Sequence, residues 1–319
     1  MSIISQFYDA LANDLSLTNI VSEDVTLYAS EPVNELHGID AIKQQYWKIL
    51  STSLYNIERR PFIEFDSIHN NHKWIAATGY LIGDFVNDLL GIPATKKPVY
   101  LRFTELVQLQ NEKIVNYYII IDFLDVMHQA GVNPLRKSLG HDGLIMPPTT
   151  MDGLNPIESY VEQSQQSEQL VLSMLEELGR FDGQSLASMQ LENFWHPAFM
   201  WYGPAGIGMT RGISDFRKNH QGPFVFSFPD RVVDHKAAII KKGNYVSTGG
   251  WPHMHGSHLA GGWLGLPPSG IKLELRVIDI WRRENNLLKE NWVGIDIIHM
   301  CKQMGLDVFA MMKDAYHLR

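Results

Sequence analysis

The chain has 319 residues, of which 45% are apolar and 11% aromatic, so it is long enough for two globular domains with substantial cores. Its formal charge of −8 comes without basic clusters, which argues against nucleic acid as the main partner, and no apolar run reaches membrane-spanning length. The single cysteine, Cys301, excludes an internal disulfide, and residues 1–15 do not resemble a secretory signal, so a cytoplasmic protein is predicted.

The first half of the chain has an α+β pattern. Residues 3–15 carry apolar side chains at helical spacing, and Gly38 opens a second helical stretch. Strands are predicted at 25–29, 62–68 and 73–85, and two further long strands follow. Short turns between consecutive strands predict a curved antiparallel sheet with helices covering one face.

The same pattern occurs twice. Segment 271–305 is predicted to form two strands and the start of a helix, and segment 99–131 has the same layout 174 residues earlier. Residues matched at this offset are Tyr28 and Tyr202, Asp122 and Asp296, Gln129 and Gln303, and Gly131 and Gly305. The chain is therefore an internal duplication. Two domains are predicted, at 1–140 and 157–319, joined by a linker rich in glycine and proline at 141–156.

Asp296 is the main catalytic candidate in the sequence. It lies in an apolar strand and shares strand parity with Trp292, which predicts an acid in an aromatic pocket. Burial would raise the pKa of this carboxyl toward neutrality and make it a general base. The alternative is that Asp296 caps the following helix. Asp122 has the same setting in the first half.

Several motifs of the second half, taken in order, resemble the SnoaL-like polyketide cyclase pattern. They are Trp-Tyr-Gly-Pro at 201–204, Arg-Gly-Ile-Ser-Asp-Phe at 211–216, Gly-Ser-His at 256–258, Gly-Leu-Pro-Pro-Ser-Gly at 265–270, Ile-Asp-Ile-Trp-Arg at 278–282, Trp-Val-Gly-Ile-Asp at 292–296 and Gln-Met-Gly at 303–305. The first half matches at fewer positions, which are Gly79, 91–95, Asp122 and 129–131. This resemblance implies an NTF2-like fold, with two conical α+β barrels in tandem that pair sheet to sheet as a pseudo-dimer.

The resemblance also implies a cofactor-free enzyme that removes a proton next to a carbonyl group. The reaction would be aldol ring closure, as in polyketide cyclases, or that of a related isomerase or lyase such as a dehydratase. Asp296 would be the acid/base, assisted by His258 across the pocket. In the first half Asp122 keeps the acid, but Leu81 stands where a histidine is expected, so its site is predicted to be degenerate. The alternative is a small-molecule-binding protein without catalytic activity.

A small apolar carbonyl compound is the expected ligand, and aromatic residues are the candidates for its binding. Together with one arginine they are Trp201, Tyr202, Arg211, Trp263 and Trp292 in the second half and Tyr28 and Tyr118 in the first. A plain core position is the alternative for each aromatic residue. Asp279 is predicted to have a structural role, paired with Arg276 or Arg282.

Other motifs give weaker indications. His253, His255 and His258 form an H-x-H-x-x-H pattern suited to a metal, but solvated histidines in a loop are commoner, so no metal is expected. The glycine-rich segment 203–208 lacks a βαβ setting, and neither a dinucleotide nor another cofactor is expected. The two halves are expected to pair within the chain, and a further homodimer is left open.

Overall fold

The structure, a computed structural model, describes residues 1–233 and 237–317. The first half contains helices and strands in the order α1 (Ile3–Ala12), β1 (Val21–Ala29), β2 (Glu35–His37), α2 (Gly38–Ala41), a π-helical segment (Ile42–Trp47), α3 (Lys48–Ser53), β3 (Leu54–His69), β4 (His72–Phe85), β5 (Pro98–Gln110), β6 (Lys113–Ile121) and α4 (Phe123–Gln129). The predicted α+β order is therefore present, although the first helix ends earlier than expected and β3 begins earlier.

The second half repeats this order with additions. Its elements are α5 (Gln163–Leu178), two 3₁₀ turns (Leu186–Met189 and Leu191–Asn193), β7 (Trp195–Tyr202), β8 (Thr210–Arg211), α6 (Gly212–Phe216), a π-helical segment (Arg217–Gln221), α7 (Gly222–Ser227), β9 (Val232–Val233), β10 (Ala238–Lys242), β11 (Tyr245–Ser257), a 3₁₀ turn (Trp263–Gly265), β12 (Lys272–Glu284), β13 (Leu287–Ile295), α8 (Ile297–Gln303) and α9 (Val308–His317). Helix α5 begins at Gln163, after the predicted linker at 141–156.

Each half contains one open sheet. The strand order is β2-β1-β6-β5-β4-β3 in the first half and β10-β11-β12-β13-β7-β8 in the second, with β9 beside β11. Most neighbours are antiparallel, but β1 pairs with β6 and β7 pairs with β13 in parallel. The predicted antiparallel sheet is confirmed for most strand pairs, and each half also contains one parallel pair that was not predicted. The parallel pairs arise because the chain passes through helices and a strand meander before it returns beside its first strand.

Helices cover the inner face of each sheet. Helix α1 buries Phe7 and Leu11 in the core of the first half, and α5 buries Val171 and Met174 in that of the second. Within the described ranges, 1–233 and 237–317, the structure has no helix whose length and apolar character would let it cross a membrane.

The outer faces of the two sheets pack against each other. The buried cluster between them contains Phe65, Trp74, Ala76, Leu106 and Ile120 of the first half and Tyr202, Ile240, Tyr245, Ile278, Ile280 and Trp292 of the second. Glycines allow close approach, because a Cβ on Gly294 would lie 3.0 Å from the Thr104 Cβ and one on Gly249 would lie 2.7 Å from Leu106. The tandem arrangement with paired sheets is thus confirmed, and central strands are buried on both faces.

Candidate functional site

Asp296 lies at the contact between the two halves. Its Oδ1 accepts a hydrogen bond from the backbone N–H of His299 at 3.1 Å and so caps α8. Its Oδ2 accepts from the backbone N–H of Glu31, in the first half, at 2.9 Å and from Arg276 Nη1 at 3.1 Å. Burial raises the pKa of this carboxyl, and the charge of Arg276 is the main opposing effect. This geometry corresponds to the capping alternative.

Asp122 makes the two corresponding backbone contacts in the opposite direction, but among the residues that the structure describes no arginine bonds to it. Its Oδ1 accepts from the backbone N–H of Asp125 at 3.0 Å, and its Oδ2 accepts from the backbone N–H of Ala205, in the second half, at 2.8 Å. Ala205 and Glu31 are separated by the same 174-residue offset as Asp296 and Asp122. The two aspartates therefore form a pseudo-symmetric pair of clasps between the halves.

His258 is fully buried at the end of β11. Its ring stacks on Phe228, with centroids 5.2 Å apart, and meets the edge of Trp263 at 6.4 Å. Nδ1 accepts from the backbone N–H of Ser269 at 3.3 Å, while Nε2 is buried without a hydrogen-bond partner among the described residues. Burial lowers the pKa of this imidazole. His258 thus packs among aromatic side chains.

The strand register shows that the residue predicted to correspond to His258 in the first half was wrong. Asp84 pairs with Pro98, and Ser257 pairs with Lys272, which lies 174 residues after Pro98. Phe85, rather than Leu81, therefore occupies the position of His258. The bulge in β11 between Gly250 and Met254 shifts the alignment, and this shift is not visible at a constant sequence offset.

A cavity of about 400 Å³ lies between the inner face of the second sheet, α5 and the segment from α6 to α7. Its wall is mostly apolar and includes Trp195, Trp201, Phe216, Phe224, Trp263, Leu275, Val277, Trp281, Val293 and Ile295. The polar residues of the lining are Glu176, His220, Gln221, Arg231, His253, Asp279 and Asn291. Neither Asp296 nor His258 belongs to this lining. The cavity has the size and composition of a small-molecule site.

Asp279 is the acid that faces this cavity. It lies in the inward row of β12 with Leu275, Val277 and Trp281. Its Oδ1 accepts a hydrogen bond from Asn291 Nδ2 at 3.1 Å. Burial raises the pKa of the carboxyl to about 7, against the lowering effect of the Asn291 hydrogen bond. At neutral pH Asp279 therefore exchanges protons readily, which is the property of a general base.

The arginines predicted to pair with Asp279 lie elsewhere. Arg276 contacts Asp296, and Arg282 pairs with Glu290, with Nε and Oε2 2.5 Å apart. Both arginines have even positions in β12 and so lie on the opposite face from Asp279. The expected structural pairing of Asp279 is therefore corrected.

His220 faces the same cavity from the helical side. Its ring stacks on Trp201, with centroids 4.0 Å apart and planes 16° from parallel. Burial lowers the pKa of this imidazole to about 3, so it is neutral at physiological pH. Its Nδ1 is buried without a hydrogen-bond partner in the described part of the chain. The sequence signal is a polar residue in the helical stripe formed by Phe216, His220 and Phe224.

The predicted ligand-binding residues divide between the two faces of the sheets. Trp201 and Trp263 line the cavity. Tyr202 and Trp292 instead stack on each other at 5.2 Å on the outer face, where the first half covers them. Their counterparts, Tyr28 and Tyr118, stack at 4.5 Å beside Trp251. Arg211 is exposed, and its backbone N–H donates to Asp215 at 2.9 Å.

The three histidines of the H-x-H-x-x-H pattern do not form a metal site. His253 lines the cavity, His258 packs on Phe228, and His255 lies opposite Glu274 in the β11–β12 ladder. Across residues 1–233 and 237–317, no three His, Cys, Asp or Glu side chains come together in a metal-binding group.

The interior of the first half is occupied by side chains. Glu105, the counterpart of Asp279, is fully buried and forms a salt bridge with Arg59, which also contacts Glu64 at 2.7 Å. Tyr117 donates to Glu105 Oε2 at 2.5 Å, and Tyr8 from α1 joins the same network. The acid of the first half is therefore held by a cation and a phenol, whereas Asp279 faces open space.

Comparisons with known proteins agree with the duplicated fold. A model of the SnoaL-like polyketide cyclase family matches residues 2–130 and 173–304, which together exceed half of the chain. No curated protein shows significant sequence similarity to this chain.

Similar solved structures each match about one half of the chain. TsrD from Streptomyces laurentii is 22% identical, with a TM-score of 0.35, over 44% of this chain and 96% of that one. IdmH from Streptomyces antibioticus is 20% identical, with a TM-score of 0.34, over 44% and 99%. An NTF2-like protein from Burkholderia xenovorans LB400 is 12% identical, with a TM-score of 0.35, over 45% and 99%.

Proposed function

Because the chain belongs to the SnoaL-like polyketide cyclase family, in two tandem copies, we propose that its second half is a cofactor-free enzyme acting on a small carbonyl compound. The observation that carries this proposal is Asp279, whose carboxyl lines an aromatic cavity with a pKa raised to about 7. Asp279 replaces Asp296 as the proposed base, because backbone N–H groups and Arg276 engage the oxygens of Asp296.

The proposed reaction starts with proton transfer from carbon. The Asp279 carboxylate removes a proton next to the carbonyl group, and the electron pair of the C–H bond moves into an enolate. In a ring closure the enolate carbon attacks a second carbonyl of the same molecule and forms a C–C bond. The resulting alkoxide then takes the proton back from Asp279. An isomerisation would instead return the proton at another carbon of the same conjugated system.

His220 is proposed to stabilise the enolate oxygen. Its buried Nδ1 has no partner, and a buried N–H without an acceptor is more unfavourable than an unused lone pair, so we place the proton on Nε2. A neutral imidazole can donate a hydrogen bond from this N–H to the oxygen on which negative charge develops. Asn291 holds Asp279 in orientation through its hydrogen bond.

The first half is proposed to be a non-catalytic scaffold. Its acid, Glu105, is neutralised by Arg59, and aromatic side chains fill the space around it. The boundaries 1–140, 141–156 and 157–319 remain the proposed division of the chain. A cytoplasmic location also remains a prediction, and a further homodimer remains open.

A substrate-independent test uses 5-nitrobenzisoxazole, a small flat compound whose ring opens when a base removes its C–H proton. We expect the chain to accelerate this opening, with a rate that rises with pH around a midpoint near 7, since Asp279 must lose its proton first. Asp279→Asn should lower the rate by about 100-fold or more. Nitrophenolate absorbance measures the reaction.

Asp296→Asn is the matched control, because it removes a second buried aspartate that lies outside the cavity. Under conditions where circular dichroism shows this variant to be folded, its rate of ring opening should stay within about threefold of the wild-type rate. Proton transfer from the probe to Asp279 does not involve Asp296. A rate that survives Asp279→Asn but is lost in Asp296→Asn would return the base assignment to Asp296. Tight binding of the probe without any ring opening would favour the non-catalytic alternative.

A further inference from the structure

Arg231 lies where the cavity opens to solvent. It lines the cavity together with the exposed residues Glu176, Gly179, Val232 and Val233. Its Nη2 donates to the Leu178 carbonyl at 2.8 Å and its Nη1 to the Phe228 carbonyl at 3.4 Å, and its guanidinium lies 5.7 Å from the ring centroid of Phe181. These partners carry no formal charge, and the Leu178 carbonyl supplies only the partial negative charge of the C-terminal end of α5.

In the described ranges, three other arginines with largely buried side chains are paired with acids, whereas the buried Arg102 and Arg283 have neutral partners and lie outside the cavity lining. Arg59 contacts Glu105, Arg276 contacts Asp296 and Arg282 contacts Glu290. In contrast, no carboxylate in the described part of the chain forms a salt bridge with Arg231; Glu176, which also lines the cavity, pairs with Arg180. Burial lowers the pKa of Arg231 to about 10, so the side chain remains a cation at neutral pH. A partly desolvated cation without a counter-charge is unfavourable unless a ligand supplies one.

The strand ladder places this cation far from the acid. Val233, two residues after Arg231, pairs with Met254, and Met254 pairs with Leu275 on β12. Asp279 lies four residues further along the same extended strand, which corresponds to about 13 Å. The cavity is therefore elongated, with a guanidinium at its mouth, aromatic walls, and an acid at the other end.

We propose that the compound bound by the second half is an elongated, flat carbonyl compound that carries a carboxylate, and that Arg231 binds this carboxylate. A single guanidinium balances one negative charge and matches the two oxygens of a carboxylate, which favours it over a phosphate dianion. The carbonyl end then reaches Asp279 and His220. The identity of the reacting end rests on the proposed function, but the carboxylate contact does not.

A pair of fluorescent probes isolates the charge. 2-Naphthaleneacetate and 2-naphthaleneacetamide have the same ring and nearly the same shape, but only the first carries a negative charge. We expect the wild-type chain to bind the acetate at least about tenfold more tightly than the amide at low ionic strength. Fluorescence titration of each probe gives both dissociation constants.

Variants of Arg231 test the assignment. Arg231→Gln should remove the preference for the acetate and change the affinity for the amide less than about twofold, whereas Arg231→Lys should retain part of the preference. Arg60→Gln, at an exposed arginine of the first half, should leave both affinities unchanged. Equal affinity of the wild-type chain for the two probes would overturn the proposal. An equal loss of both affinities in Arg231→Gln would also overturn the proposal, because such a loss indicates that Arg231 has a packing role.

The two proposals fail separately. Asp279→Asn should abolish proton abstraction and still prefer the acetate, because the carboxylate contact does not involve Asp279. A chain that prefers the acetate but never opens 5-nitrobenzisoxazole would support the carboxylate site and contradict the catalytic proposal. A chain that opens 5-nitrobenzisoxazole but binds the acetate and the amide equally would support Asp279 as the base. It would contradict the role of Arg231 in ligand binding.

Discussion

Asp279 makes the fold less stable when its carboxyl group is ionised, which is the state that the proposed catalysis requires. Its folded-state pKa of about 7 lies above the ordinary value of 3.8, so the folded protein binds the proton more tightly than the unfolded chain does. Stability should therefore fall as pH rises from about 4 to about 7, and the full effect at pH 8 is at most about 4 kcal/mol. Groups that weaken the fold are common in active sites, and this property of Asp279 agrees with its proposed role.

Asp279→Asn should therefore stabilise the protein at alkaline pH. The amide keeps an oxygen that can accept from Asn291 and removes the buried charge. We expect the free energy of unfolding at pH 8 to rise by roughly 1–4 kcal/mol relative to the wild type, and to differ much less at pH 4. Urea denaturation at the two pH values measures this. Asp24→Asn, at an exposed position, should have no effect at either pH; an equal change at both pH values for Asp279→Asn would contradict the buried-charge argument.

At the scale of single elements, β12 and β13 indicate how much of the site the sequence could predict. Both strands, the turn and the following helix agree with the sequence pattern. Asp279 interrupts an alternating apolar row on β12, and this signal suffices to identify it as a cavity residue. On β13, Asn291 and Val293 face the cavity whereas Trp292 faces the first half.

The parity of β13 could not be resolved from the sequence, because both rows are largely apolar. Shifting the assignment of a strand by one residue moves every side chain to the other face of the sheet. Which face is the outer one depends on how the two sheets pack against each other, and this packing is not visible in the sequence of one strand. The same choice placed Tyr202 in the predicted pocket. The counterpart of His258 in the first half could not be predicted either. It depends on the bulge in β11, which changes the strand pairing and is not visible at a constant sequence offset.

The buried network on β3, β5 and β6 gives a prediction for the first half. Arg59→Met would leave the Glu105 carboxylate with Tyr117 as its remaining polar partner. We expect a loss of about 3–5 kcal/mol in the free energy of unfolding near pH 8, because breaking one partner of a buried ion pair leaves an uncompensated charge. Burial already raises the pKa of Glu105, so the loss should shrink at lower pH as this group takes up a proton.

Chemical denaturation of Arg59→Met, of Glu105→Gln and of the double variant checks this network. The double variant Arg59→Met with Glu105→Gln should recover most of the stability lost in Arg59→Met, since both charges are then absent. Ring opening of 5-nitrobenzisoxazole should remain unchanged in the folded double variant, because the second cavity is separate. Loss of that activity would indicate that the first half takes part in catalysis.

At the scale of the whole molecule, the first half helps to fix the wall of the second cavity. Arg102 on β5 is buried, and its guanidinium donates to the backbone carbonyls of Tyr202 and Gly203 at 2.7 Å and of Val293 at 2.8 Å. Val293 lines the cavity opposite Asp279 in the β12–β13 ladder. Duplication therefore supplies a permanent partner, within one chain, for the half that is proposed to be catalytic.

Arg102→Met should weaken both halves together. It would remove three charge-assisted hydrogen bonds and leave three buried carbonyls without these donors, so we expect a loss of about 3 kcal/mol or more in the free energy of unfolding. Hydrogen exchange should speed up in β5 of the first half and in β7 and β13 of the second, because the contact is shared. Arg60→Met, at an exposed neighbouring arginine, is the control and should change neither measurement. Faster exchange confined to β5 would mean that the halves are energetically independent, and the first half would then not act as a scaffold for the cavity.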